Sequence, residues 1–164
     1  MKITRPIRAV LFDMDGVMVD SEFVYMKYLL EFAKEKNPAV KMEDINPMVG
    51  RSRQDSWTVM EQAVNNGENW ETLIREWADR DIYSQIDYRK IFRPEMKTTV
   101  QELKRRGYIV ALVSSTGPKL ISRIVEEVGM RPEFDLIVSG KQFKQSKPNP
   151  EIYHYTADTL GIRE

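Results

Sequence analysis

Residues 9–16 read Ala-Val-Leu-Phe-Asp-Met-Asp-Gly, an apolar run that ends in two carboxylates one residue apart. Like charges this close repel, so keeping both ionised costs stability unless a cation or a reaction uses them. Asp13 is the candidate nucleophile or metal ligand, and Asp15 the candidate general acid/base. Two more segments bear polar groups just beyond apolar runs. Ser114-Ser115-Thr116-Gly117-Pro118 follows residues 108–113, and Lys147 lies in a loop after residues 136–138. A phosphoryl group needs an oxygen nucleophile, positive charge, and donors to its equatorial oxygens. Asp13 could attack phosphorus in line, while Asp15 protonates the leaving alcohol and then deprotonates water. Ser114 offers a hydroxyl, the turn through Ser115 offers backbone N–H groups at a helix start, and Lys147 a fixed positive charge. Mg²⁺ prefers oxygen ligands and would offset the repulsion among these anions.

The elements that must position these residues follow from hydrophobic periodicity. Residues 8–12 read as a short buried parallel strand. After the Gly16 turn, Asp20 or Ser21 can cap a helix whose apolar face is Phe23, Met26, Leu30 and Ala33, stopped at Asn37-Pro38. Residues 39–50 read as a connector. Trp57, Met60 and Val64 mark a helix from Gln54 to about Asn65; Trp70, Leu73, Ile74, Trp77 and Ala78 mark another, running to about Tyr83. Met96, Val100 and Leu103 give a helix closed by Lys104-Arg105-Arg106 and Gly107, as suits a helix C-terminus. Residues 108–113 are a strand, and Pro118 opens a helix striped with Leu120, Ile121, Ile124, Val125 and Val128. A short strand at 136–138 and a helix at about 151–160 complete the pattern. This is an α/β order interrupted by a helical block, with Asp13 and Ser114 at carboxyl ends of strands, where sites of open parallel sheets collect.

Composition narrows the alternatives. The chain has 164 residues, 41% hydrophobic and 30% charged, enough for one core with an insertion. Lys+Arg and Asp+Glu are 25 each, so no broad basic field exists for nucleic acid and no polybasic signal for a membrane. Cysteine is absent and His154 is the one histidine, which excludes thiolate chemistry and a His-rich zinc site. No stretch approaches a membrane span. A cytoplasmic protein is the simplest expectation, and nothing in the sequence signals an oligomeric state.

Three stretches together resemble the signatures of the haloacid dehalogenase (HAD) superfamily, in the branch of β-phosphoglucomutase-like phosphatases. AVLFDMDGVMVDSE resembles the first signature, IVALVSST the second and KQSKPNPEIY the third. The resemblance implies a Rossmann-like parallel-sheet core, residues 1–20 and 92–164, with an all-helical cap inserted at 21–91. It assigns Asp13 as nucleophile, Asp15 as general acid/base, and Ser114 and Lys147 to phosphate. It also assigns Mg²⁺ to the Asp13 carboxylate and the Asp15 main-chain carbonyl. The activity implied is Mg²⁺-dependent hydrolysis of a small phosphorylated metabolite, a sugar phosphate being one candidate, through a phosphoaspartate.

Gly50-Arg51-Ser52-Arg53 resembles the cap loop of β-phosphoglucomutases, which makes Gly50 and Arg53 substrate-binding candidates beside Ser115. Two departures argue against a hexose-phosphate mutase. Tyr25 stands where mutases carry histidine, and Asp79-Arg80-Asp81 replaces a basic stretch. A third reading is a non-catalytic fragment, because the acidic fourth signature, which completes the metal site, would begin beyond Gly161-Ile162. On that expectation the core lacks its C-terminal part and binds metal weakly. Trp57, Trp70 and Trp77 are expected in the cap interior, the methionines in packing, and His154 on a helix surface.

Overall fold

The computed structural model describes residues 6–145 and 147–162. In chain order it contains β1 (Ala9–Phe12), α1 (Ser21–Lys36), α2 (Met42–Ile45), α3 (Arg53–Val64), α4 (Trp70–Ala78) and α5 (Ile82–Gln85). There follow α6 (Glu95–Arg105), β2 (Ile109–Ser114), α7 (Pro118–Glu127), β3 (Leu136–Ser139) and α8 (Glu151–Thr159). Two compact units result, one of residues up to Ser21 and from Asp87 onward, the other Glu22–Ile86.

The first unit is built on a parallel sheet in the order β1-β2-β3. Val10 pairs with Val110 and Phe12 with Leu112, while Ala111 pairs with Leu136 and Ser114 with Ser139. The central strand β2 is buried from Val110 to Ser114. The sequence suggested an equally buried β1, but all four of its residues are half-buried, because it has a strand neighbour on one side only among the described residues. Behind the sheet, α7 buries Ile121, Ile124 and Val125, whereas the expected stripe members Leu120 and Val128 stay half-buried at its margins. Ile152 of α8 packs with Val113 and Val138.

A side chain helps set the register of β3 against β2. Asp135 donates its N–H to the Val110 carbonyl and accepts the Val110 N–H on Oδ2, both at 2.8 Å. Lys104 Nζ of α6 reaches its Oδ1 at 3.0 Å. Burial alone would push the Asp135 carboxyl up, but the Val110 amide and the Lys104 ammonium outweigh it and hold it below its ordinary value. The chain leaving this unit and the chain returning are tied side by side. Asp20 N–H donates to the Ile91 carbonyl at 2.9 Å and Arg93 N–H to the Met18 carbonyl at 3.0 Å.

The second unit is helical, and its interior is aromatic. Phe32 meets Trp77 edge-on at 5.6 Å and Trp57 at 6.1 Å between ring centroids. Such pairs add about 0.5–1.5 kcal/mol each beyond the area they bury. Around them lie Leu29, Ala33, Met60, Val64 and Leu73, while Trp70 is only partly buried. Asn69 caps α4 by accepting the Thr72 N–H, and Ser52 caps α3 by accepting that of Asp55.

Three expectations are corrected here. The buried stripe of α1 is Leu29-Phe32-Ala33, and Phe23 is 55% exposed under Lys27, whose ammonium sits 4.2 Å from its ring centroid. The segment 39–50 is not a plain connector, because α2 and a 3₁₀ turn at Asn46–Met48 fold there and bury Ile45 and Met48. The helix expected to reach Tyr83 ends at Ala78. Asp81 then adopts a left-handed φ of 42° before the short α5 begins, a break that hydrophobic periodicity alone does not signal.

Candidate active site

The carboxyl ends of the strands carry the predicted groups. Beyond β1, Met14 buries its side chain completely, and its carbonyl accepts from the amides of Val17, Met18 and Val19. Gly16, at φ +72°, makes the tight return possible, a conformation that would strain a residue with a Cβ. This anchored loop leaves Asp13 with a half-exposed carboxylate, its side chain 46% accessible. Asp13 Oδ1 accepts the Met14 N–H at 2.8 Å.

Lys147 arrives from the loop after β3. Its ammonium lies 2.8 Å from Asp13 Oδ1 and donates to the Val113 carbonyl at 3.0 Å. One cation thereby joins the ends of β1 and β2, and the Lys147 side chain keeps only 15% of its surface accessible.

Asp15 is held by hydroxyls. Ser21 Oγ donates to its Oδ1 at 2.7 Å, and Thr116 Oγ1 to its Oδ2 at 2.8 Å. Ser114 Oγ reaches the same Oδ2 at 3.4 Å and accepts the Thr116 N–H at 3.0 Å. Ser114 is fully buried, so its hydroxyl serves the loop and Asp15. Ser115 is half-buried in that loop, with Gly140 pressed on it. A Cβ on Gly140 would lie 3.2 Å from Ser115 Cα and 3.3 Å from the Ser114 carbonyl oxygen. The sequence reading missed Thr116 and Ser21 as partners of Asp15. Ser21 stands at the first position of α1, where it reads as a cap, and no spacing rule links it to residue 15.

The structure thus brings Asp13, Asp15, Ser114 and Lys147 together. Arg53 and Gly50 belong to the helical unit. They line a cavity of about 280 Å³ with Tyr25, Met26, Ser56 and Trp57, and Gly50 takes a left-handed φ of +76°. In this unit Tyr25 accepts the Trp77 Nε1–H at 3.0 Å, and burial pushes its phenol above the ordinary value. His154 is exposed on α8. Tyr88, in the α/β unit, is almost fully buried, and burial pushes its phenol up to about 12.

The aspartate pair, the hydroxyl turn and the lysine thus gather at the carboxyl edge of a parallel sheet, where open α/β folds place their sites. The chain matches the family of haloacid dehalogenase-like hydrolases over residues 10–164, and it belongs to that family. Hexitol phosphatase B of Escherichia coli K12 is 25% identical over 164 residues, which span 99% of this chain and 73% of that protein. A phosphorylated carbohydrates phosphatase of Thermotoga maritima is 24% identical, with coverage of 95% and 72%. Among solved structures, a HAD-superfamily hydrolase of Geobacter sulfurreducens superposes with a TM-score of 0.67 at 18% identity, covering 95% of this chain and 73% of that one. A β-phosphoglucomutase of Clostridium difficile gives 0.62 at 21% identity, covering 96% and 72%. These likenesses agree with the Rossmann-like parallel sheet expected from the sequence. Among the described residues no helix is long and apolar enough to cross a membrane.

Proposed function

We propose that this protein is a phosphoric monoester hydrolase that works through a phosphoaspartate on Asp13. The observation that carries the reading is the pairing of a half-exposed Asp13 carboxylate with the Lys147 ammonium at 2.8 Å, beside an Asp15 fixed by hydroxyl groups. An oxygen nucleophile thus sits next to a cation that a phosphoryl oxygen can share. Asp13 attacks phosphorus as the P–O bond to the leaving alcohol breaks, and Asp15 gives its proton to the departing oxygen. Asp15 then takes a proton from water, which attacks the aspartyl phosphate and frees Asp13. Lys147 and the Ser115 N–H bind the phosphoryl oxygens.

The donors present suit Mg²⁺ in kind. They are hard oxygens, and this ion is commonly held by one or two carboxylates with waters and substrate phosphate completing the shell. When bound, by the Asp13 carboxylate and the Asp15 main-chain carbonyl, the ion supplies neutralisation of the phosphoryl charge.

The relatives named above support a small phosphorylated carbohydrate or polyol as substrate, selected by the helical unit acting as a cap, with Gly50 and Arg53 in its binding cavity. Hydrolysis is favoured over phosphoryl transfer between hexose positions. Tyr25 stands where mutases carry histidine, and its phenol accepts the Trp77 Nε1–H. Release of inorganic phosphate from a panel of phosphomonoesters tests the reading. Asp13→Asn should lower kcat at least about 10⁴-fold without loss of the fold, and borohydride reduction of quenched wild-type enzyme should label Asp13. Unchanged turnover in Asp13→Asn removes the mechanism.

A further inference from the structure

We propose that Thr116 is a positioning residue for Asp15, delivering the hydroxyl that fixes the carboxyl at the leaving-group oxygen. The proposal rests on the phosphatase reading. It starts from how firmly Thr116 is itself held. Its N–H is bound by Ser114 Oγ at 3.0 Å, its carbonyl by Ser139 Oγ at 2.6 Å, and its Oγ1 donates to Asp15 Oδ2 at 2.8 Å. The end of β3 thus grips the residue whose side chain grips Asp15. Threonine is β-branched and stiff at χ1, so a clamped main chain delivers its hydroxyl to a defined point. Ser21 secures the other oxygen at 2.7 Å.

A hydroxyl suits this post better than an amide N–H. An acid/base residue must be held both with and without its proton. A hydroxyl donates to the carboxylate and, after rotation, accepts from the carboxylic acid, whereas an N–H can only donate. In the first half-reaction the Asp15 proton moves to the alkoxide oxygen while the P–O bond breaks and the bond from Asp13 to phosphorus forms. Losing the clamp therefore matters most where the leaving group most needs that proton.

The test compares kcat/KM of wild type, Thr116→Val and Thr116→Ser on benzyl phosphate and p-nitrophenyl phosphate. General acid–base assistance is worth about 10²–10⁴-fold, so a loosened acid should cost about tenfold or more on benzyl phosphate. The loss on p-nitrophenyl phosphate, whose leaving group departs unaided, should stay within about threefold. Thr116→Ser should restore the wild-type ratio. Thr116→Ala provides the same reading if the valine does not fold. Equal losses on both esters, or no loss, overturn the proposal and leave the phosphatase reading standing. A wild-type enzyme that hydrolyses neither ester nor any phosphomonoester of the panel overturns both.

Discussion

The two units of this protein spend their residues in opposite ways. At the carboxyl edge of the sheet, charged and hydroxyl side chains converge from positions as far apart as Asp13 and Lys147, and each is held by named bonds. In the helical unit the centre is Phe32, Trp57 and Trp77, and charged pairs such as Arg80 with Glu35 lie on the surface. The edge concentrates reactive groups at some cost in stability. The aromatic interior yields stability, and the Trp77 Nε1–H within it is paired with Tyr25. Chemistry and cohesion are therefore separable here, and mutations should separate them.

The largest expected effect on stability lies in the helical unit. Phe32→Ala removes a fully buried ring at the centre of the helical unit and should destabilise it by about 3–5 kcal/mol, seen in denaturant titrations followed by tryptophan fluorescence. Next comes Lys147→Met, which keeps the side chain's length and deletes its charge. It should lower kcat/KM for a good phosphomonoester by about 10²–10³-fold while the unfolding midpoint moves little. A large stability loss with intact turnover in this variant would break the comparison. The smallest effect sharpens it, because Asp135 is a charge used for cohesion inside the sheet-based unit. Asp135→Asn should cost about 1 kcal/mol at neutral pH, discounted for its exposure. Its folded pKa is depressed, so that stability is present above the unfolded value of about 3.9 and is lost as pH falls through the folded value. The two proteins should converge in acid melts.

The elements carrying the site were largely legible because each is a local pattern with a hard stop. Four apolar residues before Asp13, six before Ser114 and the glycines after α6 and α7 mark strands and helix ends in the sequence itself. The long-range partners were less so. Nothing about Thr116 or Ser21 states that its hydroxyl will meet Asp15, since that follows from β1 lying beside β2. In the helical unit, periodicity identified α3 and most of α4. It misplaced the face of α1, because Phe23 and Phe32 are equally apolar and only packing decides which turns inward. The break at Asp79–Asp81 was hidden because left-handed Asp81 is a backbone event with no apolar signature.

The lysine between two strand ends has a consequence for the order in which the molecule becomes competent. Its ammonium meets Asp13, 134 positions earlier in the chain, and the Val113 carbonyl, 34 positions earlier, so the three-way contact forms only after the ends of β1 and β2 have come together with the loop that follows β3. Closing loops of that length is entropically dear and slow, whereas helices gather contacts from near neighbours. During refolding, helical signal should thus return well ahead of the ability to turn over substrate, making activity a reporter of the last long-range contact rather than of collapse.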